Sequence, residues 1–187
     1  MTKYWKIVSA GDYEVYAKKL LNLFETEKKY FDNVNPFWNP VKQSSNQEIL
    51  SIIPELQELE KLYGKINEMT LLVLLGDNST LHTDHQVGPN KGVQARLNVP
   101  VLNCEDSVTA FFELDEETFN THEINKGETK YWSEHLRRTL KPVTQIVLMQ
   151  PTILRTSKPH TVFCNGKKFP RISLTISFKE DLIKLLE

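Results

Sequence analysis

The sequence predicts an α+β, mainly β chain with a β-sandwich or barrel core. Apart from a short C-terminal segment at 179–187, helix-periodic segments fall in the first 65 of its 187 residues. From Ile66 onward, short strand-like segments follow one another at 69–75, 94–102, 108–114, 145–150, 161–164 and 171–178. Turn residues such as Gly76-Asp77-Asn78, Gly88-Pro89-Asn90 and Asn165-Gly166 separate them. Helices first and antiparallel-looking strands afterwards define the class. The chain reads as one domain over 1–187: a helical N-terminal flank (1–65), a β core (66–178) and a C-terminal helix (179–187).

Residues 4–8 suit a short opening strand, and Asp12 suits a helix N-cap. Tyr13, Tyr16, Ala17, Leu20, Phe24 and Phe31 then recur at helical spacing among lysines and glutamates. They predict an amphipathic helix lying against a sheet. Residues 33–45, with Pro36 and Pro40, read as a loop whose Phe37 and Trp38 anchor in the body. Pro54 fits the first turn of a second helix, Gly64 its stop, and Leu56, Leu59 and Leu62 its buried stripe. The acidic run 113–117 reads as a solvated turn, and Arg137-Arg138 with Lys141 as a small basic cluster.

Composition is that of an ordinary globular protein, 40% apolar and 25% charged. A net charge of −1 gives no global drive toward nucleic acid or an anionic membrane, although a local basic groove is compatible with it. No apolar run approaches the roughly 20 residues that span a bilayer. No apolar stretch of the signal-peptide kind follows the N-terminus. With only Cys104 and Cys164, two reduced thiols in a cytoplasmic protein are expected rather than a disulfide framework.

The chemistry concentrates at Leu81-His82-Thr83-Asp84-His85. On extended backbone residues i and i+2 share a face, so His82 and Asp84 aim at one point. An imidazole and a carboxylate supply two ligands of a 2-His-1-carboxylate site. His160, at the threshold of a strand behind Pro159, is the candidate third; a lone histidine there is more often structural. His122 and His135 lie in a polar excursion with surface roles as the default, and His85 points away from Asp84's face. Eleven residues past His160, Arg171 opens a strand with Ile172, Leu174, Ile176 and Phe178 on one face and Arg171, Ser173, Thr175 and Ser177 on the other. The polar face is either the wet side of an edge strand or an arginine-plus-hydroxyl carboxylate anchor pointing into a barrel. Arg96 and Asn98 share a side of their segment. Arg96 either pairs with a surface acid or faces the same cavity as His82 and Asp84.

The ordered set His82-x-Asp84, His160, and Arg171 with Ser173 resembles the Fe(II)/2-oxoglutarate-dependent oxygenase superfamily, near its prolyl hydroxylase-like or aspartyl/asparaginyl β-hydroxylase-like branches. The likeness covers roughly 69–178. It implies a double-stranded β-helix, or jelly roll, with N-terminal helices packed on one sheet. It also implies Fe(II) on His82, Asp84 and His160, 2-oxoglutarate as co-substrate and O2 as oxidant. Arg171 and Ser173 would hold the distal carboxylate of 2-oxoglutarate. Arg96-x-Asn98 resembles the R-x-H pair that reaches the metal-proximal carboxylate in the second branch, with asparagine in place of histidine. The implied reaction hydroxylates a C–H bond of a peptide side chain or small metabolite, with release of succinate and CO2. Leu72, Leu74 and Phe111 or Phe112 are the expected apolar lining. Tyr131 and Trp132, in the 118–141 excursion, are either lid residues or buried anchors. Two other readings stand beside this one: a Zn(II) hydrolase on the same ligands, which has no need of Arg171, and a non-catalytic jelly-roll binding module.

Overall fold

The computed structural model describes residues 3–32, 37–76, 79–84, 92–121, 123–124, 130–164 and 168–187. His85, His122 and Pro36 lie outside the described residues, as do the turn positions Asp77, Asn78, Gly88, Pro89, Asn90, Asn165 and Gly166. In chain order the elements are β1 (Trp5–Ile7), α1 (Tyr13–Thr26), β2 (Trp38–Pro40), α2 (Asn46–Ile52), α3 (Leu56–Tyr63), β3 (Ile66–Leu74), β4 (His82–Thr83) and β5 (Arg96–Leu102). They continue with β6 (Ser107–Phe111), α4 (Glu116–Asn120), β7 (Glu123–Ile124), β8 (Lys130–Tyr131), α5 (Glu134–Thr139), β9 (Thr144–Val147), β10 (Thr152–Leu154), β11 (His160–Cys164) and β12 (Arg171–Phe178).

The strands form two antiparallel sheets. The first runs β1-β10-β5-β12-β3-β2 and the second β7-β8-β4-β11-β6-β9. Between β3 and β12 the chain crosses repeatedly: β3, β5, β10 and β12 belong to the first sheet, and β4, β6, β9 and β11 to the second. The segment between β6 and β9 is an excursion whose β8 pairs with β4, with Tyr131 opposite His82.

Period-2 alternation explains how the first sheet serves two cores. Ile172, Leu174, Ile176 and Phe178 of β12 join Met69, Leu71 and Val73 of β3 and Leu97 and Val99 of β5 in one cluster with Tyr16, Leu20, Ile49, Leu56 and Leu59 from the helices. Each large side chain fully buried there contributes about 1.5–3 kcal/mol. The helices therefore cover one face of the sheet. All eight residues of β12 are buried, its polar face included. The guanidinium of Arg171 crosses from that face to the hydroxyl of Ser107 on β6. The polar face thus looks onto the second sheet, and β12 is a central strand rather than a wet edge.

Several sequence expectations are corrected. Helical spacing continued to Phe31, but α1 ends at Thr26, and Glu27 leaves helical geometry at φ −128°. Phe31 is buried from extended backbone, bridging to Val41 and packing edge-on against Phe24 at 5.1 Å. Asp12 sits at the N-cap of α1 without a side-chain capping bond. The expected loop at 33–45 contains β2, which pairs with β3. Phe37 and Trp38 are 52% and 41% exposed, so they are not core anchors. In α3, Leu56 and Leu59 are fully buried, but Leu62 is 54% exposed and falls off the stripe. Gly64 ends that helix at φ +88°, a conformation that favours glycine. The C-terminal segment is one 3-10 turn, Leu182–Leu185, with Leu182 and Leu186 buried. Among the described residues no helix is long and apolar enough to cross a membrane.

Candidate metal centre

His82 opens β4 and His160 opens β11, and the ladder sets them directly opposite each other. Paired residues on antiparallel strands project to the same side. Their ring centroids lie 4.5 Å apart. Asp84, two residues beyond His82, is fixed by its backbone N–H bonding to the carbonyl of Thr156 at 2.9 Å. Its Oδ1 lies 3.4 Å from Nε2 of His82 and 3.9 Å from Nε2 of His160. One ligand atom from each of the three residues falls within 4.8 Å of the others.

The tautomers suit metal binding. Nδ1 of His82 is 2.7 Å from the carbonyl of Thr80, and Nδ1 of His160 is 2.8 Å from that of Lys158. A carbonyl only accepts, so each Nδ1 carries the proton and donates it. Each Nε2 is then left with a lone pair facing Asp84. Burial opposes charge on His82, but the Asp84 carboxylate outweighs it and raises the pKa above its ordinary value. Burial and the neighbouring His82 push His160 down to about 4. Burial also works against ionised Asp84, yet His82, Arg96 and His160 together hold it well below the usual carboxylate range.

Arg171 is buried, with Nε donating to Ser107 at 2.8 Å and Nη1 to Ser173 at 3.1 Å. No carboxylate lies within ion-pair distance of it among the described residues. Register places Leu74 opposite Arg171 and Leu72 opposite Ser173, so both leucines share the face toward the second sheet. Phe111 also faces this space, its ring 5.7 Å from that of His160. Phe112 packs instead with Leu81, Ala110 and Trp132 in a separate cluster. Arg96 lies with Nε 3.5 Å from Oδ2 of Asp84 and Nη1 3.4 Å from Oε2 of Glu68. It therefore faces the space of His82 and Asp84 and is not paired with a surface acid. Asn98 donates to the main-chain carbonyl of Arg96 at 3.2 Å.

Trp132 is a buried anchor. Its indole N–H donates to the carbonyl of Thr118, and its backbone N–H to that of Leu81. Tyr131 is half-buried and stacks at 5.9 Å on His82. The acidic run is engaged by other parts of the chain as well as locally: Asp115 accepts the N–H of Thr118 at the start of α4, and Glu113 accepts the hydroxyl of the distant Tyr4. Arg137 is buried and paired with Glu134, and His135 is exposed. Sequence reasoning missed Glu68 and Ser107. Each lies at or near the start of a strand, and only the alternation with Thr70 and Leu72, or with Thr109 and Phe111, marks its face.

Searches against family models and curated proteins by sequence give no match. By fold the chain is similar to enzymes described with iron or nickel and 2-oxoglutarate. One is the epimerase SnoN in complex with Fe3+, alpha ketoglutarate and nogalamycin RO, with TM-score 0.53, 12% identity, and coverage of 94% of this chain and 78% of that one. Another is HygX from Streptomyces hygroscopicus with nickel and 2-oxoglutarate bound, at TM-score 0.51, 11% identity, and coverage of 94% and 82%. A third is SnoK, a non-heme alpha ketoglutarate dependent carbocyclase from nogalamycin biosynthesis, at 0.52, 11%, 94% and 79%. At such identities the likeness establishes a shared fold.

Proposed function

We propose that the protein is an Fe(II)- and 2-oxoglutarate-dependent dioxygenase that hydroxylates a C–H bond of a small metabolite or peptide side chain, with release of succinate and CO2. The observation that carries this reading is the convergence of His82 Nε2, His160 Nε2 and Asp84 Oδ1, each imidazole already oriented by a carbonyl at Nδ1. Two neutral imidazoles and one carboxylate are the donor set of a non-heme Fe(II) facial triad. The alternation of β3, β5, β10 and β12 with β4, β6, β9 and β11 between two sheets supports a double-stranded β-helix.

In this reading His82, Asp84 and His160 hold Fe(II). Arg171, with Ser173, binds the far carboxylate of 2-oxoglutarate. A buried guanidinium carrying two hydroxyl partners fits an anion better than it fits an apolar surround. Bound together, Fe(II), 2-oxoglutarate and O2 supply the oxidising chemistry, while the protein supplies placement. Phe111, Leu72 and Leu74 present apolar surface near that chemistry and exclude water from it. The nogalamycin RO in the SnoN complex supports a small-molecule substrate. Cys104 and Cys164 are not joined in a disulfide, which supports a reducing, cytoplasmic setting.

The test is succinate release from 2-oxoglutarate across amino acids, peptides, nucleosides and small natural products. Wild type should release succinate with Fe(II) and O2, and His160→Ala should not. Equal release from wild type and His160→Ala would refute the reading.

A further inference from the structure

The oxygens of Asp84 are divided between two sets of neighbours. Oδ1 faces both imidazoles, and Oδ2 faces Nε of Arg96 at 3.5 Å. On its other side Arg96 reaches Glu68, whose side chain is only 14% exposed. We infer that Arg96, counterbalanced by Glu68, retains Oδ2 of Asp84 so that the carboxylate offers a metal one oxygen, which leaves open a position that 2-oxoglutarate needs. This rests on the proposed metal site.

Several observations make the arrangement a built one. Nε of Arg96 is buried without a hydrogen-bond partner, so the ion pair to Oδ2 is its engagement. The backbone of Arg96 is pinned from three sides: it pairs with Leu154 in the β5–β10 ladder, its carbonyl accepts from Asn98, and the carboxylate of Asp181 takes the N–H groups of Gln94 and Ala95 just ahead. The backbone of Asp84 is held by Thr156. The two backbones that carry the pair are therefore each held in place. A guanidinium beside a dication is repulsive, and Glu68 supplies the charge that offsets it. A carboxylate without such a partner can bind through both oxygens. Arg96 is thus a positioning residue. The family resemblance would have it grip the near carboxylate of 2-oxoglutarate directly, which is a different role.

The two charges give predictions of opposite sign, which general structural damage does not. The probe is Co(II), titrated into the full chain with and without 2-oxoglutarate. Arg96→Met should bind Co(II) about tenfold more tightly, bind 2-oxoglutarate about tenfold more weakly, and alter the Co(II) absorption before any 2-oxoglutarate is added. Glu68→Gln should bind Co(II) about tenfold more weakly. The double variant removes both charges and leaves neither buried alone. It should fall between the single variants in Co(II) affinity and keep the 2-oxoglutarate defect. If Arg96→Met weakens Co(II) binding, or leaves the Co(II) absorption unchanged while 2-oxoglutarate binding falls, the positioning role is wrong. If wild type binds no Co(II), the metal site itself is wrong.

Discussion

His160 stands directly opposite His82 in the β4–β11 ladder, their ring centroids 4.5 Å apart, although β5 to β10 all lie between them in sequence. The candidate metal centre is thus a property of the second sheet. Two strand-opening histidines are brought into register, and Asp84 follows one of them.

The two histidines should titrate differently against metal. His160 is held down to about 4 by burial and His82, so it is neutral at pH 5–8. On His82 burial favours the neutral form, but Asp84 wins and the pKa rises above its ordinary value. A proton on Nε2 excludes a metal. Affinity is therefore full above the raised pKa of His82 and falls as pH drops through it. Below that pKa, Co(II) affinity should fall about tenfold per pH unit, the slope for one proton. A slope of two protons over pH 5–7 would contradict the assignment to His82 alone.

Arg171→Met should weaken 2-oxoglutarate binding by about 2–3 kcal/mol, the scale of charge-assisted hydrogen bonds, and leave metal affinity nearly unchanged. Arg171 bonds to Ser107 and Ser173, not to His82, Asp84 or His160. Calorimetric titration with Ni(II) and then 2-oxoglutarate separates the two steps. Unchanged 2-oxoglutarate affinity would remove Arg171 from the anchor role.

Trp132 ties the β6–β9 excursion to the strand of His82 through the carbonyl of Leu81. Trp132→Ala should cost about 3–5 kcal/mol by denaturant unfolding, as for other buried aromatic truncations. Trp132→Phe keeps the packing and loses the indole bond to Thr118, and should cost about 1 kcal/mol. A Trp132→Ala loss below 1 kcal/mol would make the residue a surface lid after all.

What the sequence made legible was local. The alternation along Arg171–Phe178 identified a strand and both its faces, because β12 is long enough for period 2 to show. His82-x-Asp84 was visible because i and i+2 share a face. β4 and β10, at two and three residues, are too short to carry a period. The partnership of Arg96 with Glu68 depends on β3 and β5 both flanking β12, which no local pattern encodes. Phe37 and Trp38 looked like anchors by hydrophobicity alone, but they occupy and adjoin an edge strand with little to cover them.

The leucines of α3 differ in burial and should differ in their contribution to stability. Leu59→Ala should cost about 2–5 kcal/mol, because it opens a cavity in the helix–sheet core. Leu62→Ala should stay within about 0.5 kcal/mol, as an exposed site does. Equal losses in urea unfolding would restore the three-leucine stripe.

In the proposed function His82, Asp84 and His160 hold Fe(II) in a site that also takes 2-oxoglutarate. Anaerobic titration of the full chain with Fe(II) and then 2-oxoglutarate tests it most directly. A weak visible charge-transfer band should grow to one equivalent in wild type and be lost in His160→Ala. Absence of the band, together with no thermal stabilisation by 2-oxoglutarate, would contradict the claim.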